Sequence, residues 1–230
     1  MKRFWKHVDV EREEAGWTIR LDARPVRTPA KALLSIPTEA LASVIAQEWR
    51  SAGEKADPRT MPLTGLANAA IDRVAPDRAS FASGLAKYAE ADLACYRAEG
   101  PRALVTRQEQ EWDKLLTCAR RRYDVDFATT SGVVHVTQPS ATVERLSHAV
   151  AALDAYRLAG LSPLVTIGGS LIAALAILEK AMPVDEAWQA VSLDERWQLE
   201  QWGTDTEAEA ALDNRKQDFF AAATFLGLLD

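Results

Sequence analysis

The stretch Leu164-Val-Thr-Ile-Gly-Gly-Ser-Leu-Ile-Ala-Ala-Leu-Ala-Ile-Leu178 runs fifteen residues without a charge before Glu179 and Lys180 close it. Ser162 followed by Pro163 is a helix-start signal, a capping hydroxyl with proline in the first turn. A helix apolar all round belongs in the middle of a bundle or in a membrane. Spanning a bilayer takes about 20 apolar residues, so the run is too short to cross. It predicts a central core helix in which Gly168, Gly169 and Ser170 let a neighbour approach closely. Read instead as a phosphate-binding turn, it lacks the Lys-Ser or Lys-Thr that Walker-type chemistry needs.

On its C-terminal side the chain becomes acidic. Nine acids (Asp185, Glu186, Asp194, Glu195, Glu200, Asp205, Glu207, Glu209 and Asp213) meet only Arg196 between Pro183 and Asp213. On a single helix from Pro183 to Trp202, the 100° step per residue gathers Trp188, Val191, Glu195, Leu199 and Trp202 on one narrow face. Glu195 then sits in a tryptophan-flanked apolar stripe, with Leu193 and Trp197 nearly opposite. Three readings stay open. Glu195 is paired with a base inside the bundle, as buried charges normally are; or it anchors a partner among aromatic residues; or it is a desolvated catalytic acid. A last helix ends near Leu228.

On the N-terminal side, Ser140 starts a helix through Val143, Leu146, Val150 and Leu153 that Gly160 ends. Gly132–Val136 is a candidate strand. Thr106-Arg-Gln-Glu109 forms a capping box for a helix with Trp112, Leu115, Leu116, Ala119 and Tyr123 inward. Arg102 to Arg122 carries six bases against three acids; this and the acidic region are either two solvated faces that pair with each other or a dipolar surface for one chosen partner. Ser80 caps a helix with Phe81, Leu85 and Tyr88 on one face. In Tyr88–Ala98, helical spacing puts Tyr88, Asp92 and Cys95 together, either as a hydrogen-bonded core network or as an acid-centred pocket. A helix over Gly65–Val74 precedes these.

The first forty residues read as strands. Val8 and Val10 alternate with charged residues, and Trp17, Ile19 and Leu21 do the same after the turn-like Glu13-Glu-Ala-Gly16, a hairpin pattern. Ala32–Ile36 is a third run. Thr38 caps a helix over Glu39–Ser51 in which Leu41, Val44, Ile45 and Trp49 share a face with Glu48. The expected fold is α+β. Residues 1–62 form a small antiparallel sheet with a packed helix, and residues 63–230 form a mostly helical bundle domain.

The 230 residues carry a net charge of −6, which argues against a nucleic-acid partner. Cys95 and Cys118 are too far apart for a CxxC metal or redox motif. The chain has no GxSxG, HExxH or GxGxxG, and His7, His135 and His148 are scattered. Convergence of His135, His148 and Cys118 is the arrangement a cysteine-centred site would need. No metal and no cofactor are expected. The N-terminus lacks a signal-peptide core, and no run is long enough for a membrane span. A small cytoplasmic enzyme built on Glu195 is the alternative to a binding protein.

The segments TPAKALLSIPTEALASVIAQEW, DPRTMPLTGLANAAID, YAEADLACYRA, GGSLIAALAI and SLDERWQLEQWG, in this order, resemble the F1-ATP synthase assembly chaperones that bind the alpha subunit. The resemblance runs from about Val8 to Asp213. It implies a non-catalytic factor, monomeric when free, that holds the unassembled alpha subunit until the beta subunit replaces it. Trp49 matches a position whose loss should impair function, and Asp194 and Glu195 fall where the family keeps an essential acid. With Trp188 and Trp202 they are the expected partner-binding residues, while Trp49, Asp92 and Tyr88 are structural or functional supports. The chain departs from the family after Trp202-Gly203, where Thr204-Asp-Thr-Glu207 follows. Mitochondrial members begin with a targeting segment, so the expected place is the bacterial cytoplasm, with the mitochondrial matrix for eukaryotic relatives.

Overall fold

Strands β1 (Val8–Glu13) and β2 (Gly16–Leu21) form the expected antiparallel hairpin, with Val10 opposite Ile19. The other side of β2 takes two short strands, β3 (Arg24–Pro25) and β4 (Ser35–Ile36). Only the end of the Ala32–Ile36 run pairs with β2. Helix α1 (Glu39–Ser51) starts at Thr38, whose hydroxyl accepts from the Leu41 N–H. It buries Leu41, Ile45 and Trp49, and it packs on β1 and β2, where Ile19 is fully buried.

The computed structural model describes residues 2–203 and 206–230. The chain divides into two units. One joins the residues up to Arg78 with Asp154–Gly160 and Thr224–Asp230, and the other joins Ala79–Leu153 with Leu161–Ala223. An antiparallel sheet at the N-terminus with a mostly helical remainder matches the α+β expectation.

In the first unit, α2 (Pro62–Ala69) replaces the helix expected over Gly65–Val74, and its end loosens into a wider turn over Ala70–Val74. The start moves because Glu48 caps it from α1. The Glu48 carboxylate accepts from the Leu63 and Thr64 N–H groups at 2.8 Å and from the Thr64 hydroxyl at 2.6 Å. The same unit takes in the first turns of α6 (Ala155–Gly168). Here Asp154 accepts from the Arg157 N–H at 2.9 Å. That cap starts α6 well before Ser162 and leaves Pro163 inside the helix. The helix expected from Ser140 to Gly160 is therefore two: α5 ends at Ala151 (Ser140–Ala151) and α6 follows.

In the second unit the apolar run is not one helix. Gly169 takes φ +64°, a left-handed conformation that glycine adopts freely. Ser170 then caps α7 (Leu171–Leu178) by accepting from the Ala173 N–H at 3.1 Å. Leu171–Ala176 are all buried, and α7 packs on α4 (Arg102–Tyr123). Helix α4 begins four residues before Thr106, so the proposed capping box is interior sequence. Its Trp112, Leu115 and Leu116 are buried, and the Trp112 indole donates to the Ala190 carbonyl at 2.8 Å.

No helix carries Tyr88, Asp92 and Cys95 together. Helix α3 (Arg78–Ala86) starts at Arg78 rather than at Ser80 and gives way to two separate 3-10 turns, Lys87–Glu90 and Leu93–Cys95. The strand expected over Gly132–Val136 is instead β6 (Thr130–Ser131), parallel to β5 (Tyr96–Arg97). Gly132, at φ +79°, turns the chain away, and Val133 is left 99% exposed. The acidic helix is also two, α8 (Val184–Val191) and α9 (Leu193–Trp202). The Ser192 hydroxyl donates back to the Trp188 carbonyl at 2.6 Å, the kind of side-chain bond that bends a helix. The last helix is α10 (Thr206–Gly227).

Candidate functional site

Splitting the acidic helix divides the predicted stripe. Trp188 and Val191 stay with α8: Trp188 is buried against Phe219, ring centroids 5.3 Å apart, and Val191 packs on Gly168, its Cγ1 3.2 Å from where a Cβ there would lie. Glu195, Leu199 and Trp202 stay with α9 and face α10. There, Ala208, Ala211, Leu212 and Arg215 repeat the i, i+3, i+4, i+7 spacing that Glu195, Gln198, Leu199 and Trp202 show on α9. The two rows line a groove of about 480 Å³. Trp202 is 82% exposed at the end nearest the α9–α10 connection. Arg215 donates to Glu195 Oε1 at 2.7 Å at the other end, with 42% and 43% of the two side chains in solvent. Thr204 and Asp205, part of the departure noted after Gly203, lie outside the described residues.

Asp194 points elsewhere. Its Oδ1 accepts from Gln108 Nε2 at 2.7 Å, while Gln108 Oε1 accepts from the Ala98 N–H at 2.7 Å. Arg97, itself almost buried, donates to the Gln108 carbonyl at 2.6 Å and to Asp113 at 2.7 Å, and lies over the Trp112 ring. Burial pushes the Asp194 carboxyl above its usual range, and the bond from Gln108 pulls the other way. Arg107 adds a second tie from α4 to α9, a 2.6 Å ion pair with Glu200, and its guanidinium lies over Trp197. The acidic and basic stretches of the sequence thus pair at this point.

The other residues singled out from the sequence lie apart from the groove. Trp49 is buried in the first unit, 5.3 Å from Trp5, whose indole donates to the Trp49 carbonyl. Tyr88 is half-buried in a 3-10 turn. Asp92 is fully buried, and its two oxygens accept from the Ala94 N–H at 3.1 Å and the Ile172 N–H at 3.0 Å. Burial raises its pKa to about 6 against the pull of those donors. It ties the turn before β5 to the start of α7. Burial pushes Cys95 up to about 12 and raises Cys118 as well, the opposite of an activated thiolate. His135 is engaged with the Tyr96 hydroxyl at 3.1 Å. A wider depression, about 850 Å³, runs along α4 beside Lys114, Cys118 and Arg121. Among the described residues, no three of His, Cys, Asp and Glu are grouped to hold a metal ion. No helix there is long and apolar enough to cross a membrane.

Residues 2–120, more than half of the chain, match the family described as ATP12 chaperone protein. The chain belongs to the ATP12 chaperone family. Over its full length it is similar to the crystal structure of Atp12 from Paracoccus denitrificans, at 41% identity and TM-score 0.95, covering 98% of that chain. An aspartate-to-lysine mutant of P. denitrificans Atp12p is similar at 41% identity and TM-score 0.94, again with full coverage of this chain and 98% of the other. Protein atp12, mitochondrial, from Schizosaccharomyces pombe is 24% identical over 225 residues, 93% of this chain and 77% of its own length. The family match takes in the sheet, α1 to α3 and most of α4, and the α9–α10 groove lies beyond it, within the full-length similarity to the Atp12 structures. Its second wall escaped the sequence reading, although the spacing of Ala208, Ala211, Leu212 and Arg215 was there to find. Gln108 left no signal, since one polar residue in a helix reads as surface.

Proposed function

We propose that this ATP12 chaperone binds the unassembled alpha subunit of the F1 sector of ATP synthase and holds it, as a monomer, until the beta subunit takes its place. The family serves ATP synthase assembly, and the choice of alpha rests on the motif resemblance. An unassembled subunit exposes apolar interface that drives aggregation. A holding factor therefore has to cover apolar surface without performing chemistry on it.

The observation that carries the reading is the α9–α10 groove. It combines an exposed tryptophan, an apolar floor and an ion pair open to solvent, the composition of a binding hot spot rather than of a closed reaction chamber. In this reading Trp202 and Glu195 touch the partner, and Asp194 and Trp188 fix α9 and α8 beneath them. Trp49, Asp92 and Tyr88 act through the stability of their own units. The protein works where F1 is assembled, in the bacterial cytoplasm or, for eukaryotic relatives, the mitochondrial matrix.

The test is a pull-down of the purified chain with separately expressed alpha and beta subunits. The expected result is capture of alpha alone, with release when beta is added. Capture of neither subunit, or of beta alone, overturns the reading.

A further inference from the structure

The groove between α9 and α10 is underfilled and carries a charge pattern of its own. Alanines at 208 and 211 line it together with Leu199 and Trp202, where larger side chains would take up part of the volume of about 480 Å³. Asp194 and Glu200 on this stretch are held by Gln108 and Arg107 of α4, so the acidic charge beside the groove comes from Glu195, Glu207 and Glu209. Helical geometry sets Glu207 and Glu209 on either side of the face that presents Ala208, Ala211 and Leu212. At the far end, Glu195 is neutralised by Arg215 of the same chain. That pair is half in solvent on both sides, so it contributes little to stability and is easily exchanged for an equivalent one.

We propose that Arg215 stands in for a cation of the partner. The groove takes a segment of the alpha subunit bearing a bulky apolar side chain beside a lysine or arginine, which displaces Arg215 from Glu195. The apolar side chain enters between Leu199 and Leu212 against Trp202. The acidic flanks attract a basic segment and disfavour an acidic one. Arg215 thereby becomes a specificity gate, because a segment with no cation cannot replace the bond it breaks. This rests on the alpha-binding reading above and adds the chemistry of the bound segment and the residue it competes with.

The experiment titrates the alpha subunit against the full chain and its variants Arg215→Ala, Glu195→Gln, the double variant, and Ala211→Leu. Circular dichroism and melting confirm that each variant folds. Arg215→Ala is expected to tighten binding about fivefold, and Glu195→Gln to weaken it about tenfold. In the Glu195→Gln background, Arg215→Ala brings no gain. Ala211→Leu, which fills the groove on an exposed helix face, weakens binding about tenfold. If the parent chain binds alpha but Arg215→Ala leaves binding unchanged or weaker, the stand-in role fails while the chaperone reading survives. If Ala211→Leu does not impair binding, the groove is not the site. A dimer of this chain that excludes alpha and dissociates in Ala211→Leu would assign the groove to a second copy and overturn the proposal. Absence of alpha binding by the parent chain removes both readings together.

Discussion

Asp194 Oδ1 accepts a 2.7 Å hydrogen bond from Gln108 Nε2, and through this bond α9 is fastened to the second turn of α4. The same carboxamide satisfies the Ala98 N–H beside β5. Gln108→Ala removes both contacts and leaves a half-buried carboxylate and a backbone donor without this partner. It is expected to lower unfolding free energy by about 1–3 kcal/mol, read by urea denaturation. Gln108→Glu, which keeps the acceptor for Ala98 but sets a second carboxylate against Asp194, should also destabilise, and more at pH 8 than at pH 5.

The two tryptophans of the predicted stripe are expected to behave oppositely. Trp188→Ala opens a hole against Phe219 and should cost about 3–5 kcal/mol, seen as a large fall in melting temperature. Trp202→Ala should leave melting almost unchanged, since most of that side chain is in solvent. It should instead weaken capture of the alpha subunit by about 2 kcal/mol, the scale of a hot-spot aromatic, measured by titration.

Asp92 gives a pH signature. Its carboxyl titrates near 6 in the fold against 3.8 as a free side chain, because burial outweighs the bonds from Ala94, Ile172 and Ser170. The folded chain thus holds that proton more tightly than the unfolded one. Its contribution is fully present at pH values below about 4 and is lost as pH rises through about 6. Asp92→Asn is expected to abolish this slope in a series of denaturation curves from pH 4 to 7. It should also lower stability throughout by about 1–3 kcal/mol, because one of two acceptors becomes a donor facing an N–H group.

Glycine replacements separate conformation from crowding. Gly169→Ala forces a side chain into the left-handed conformation that ends α6, at a cost of about 1–2 kcal/mol. Gly160→Ala keeps its backbone but sets a methyl 2.7 Å from Leu226 Cδ2, an overpacking cost of about 1–3 kcal/mol. A suppressor such as Leu226→Ala should recover part of the second loss and none of the first, measured as coupling in a double-mutant cycle.

The hairpin of β1 and β2, the Thr38 cap and the buried row of α1 were legible because each is local: alternation, a hydroxyl before a helix, a repeating spacing. The α+β class followed from them. The breaks were harder. Pro163 and Thr106 carried start signals as good as any, yet Asp154 and Pro101 start those helices earlier, and a mid-helix proline is tolerated in α6. Ser192 interrupts the acidic helix by a bond to its own preceding turn, which no periodicity reveals. As a result the stripe of Trp188, Val191, Glu195, Leu199 and Trp202 was right for its last three members only. The groove needs Arg215 and Leu212 from another helix, and Asp194 needs Gln108 from 86 positions earlier. That last contact is set by packing and leaves no spacing to read, whereas the second wall of the groove does repeat a helical spacing along α10.

The first unit is closed by residues from far along the chain. Thr38 donates to the Leu228 carbonyl at 2.6 Å, the Tyr156 hydroxyl donates to the Ser35 carbonyl, and Arg157 pairs with Asp230 at 3.0 Å. Tyr156 stacks on Phe225, and Gly160 makes room for Leu226. The hairpin and α1 are made long before Thr224–Asp230, which complete their surroundings. A translation product stopped short of Thr224 carries the whole groove sequence through Arg215, yet leaves Tyr156 and Thr38 uncovered. Synthesis of Thr224–Asp230, rather than emergence of the sheet, is what lets this unit close.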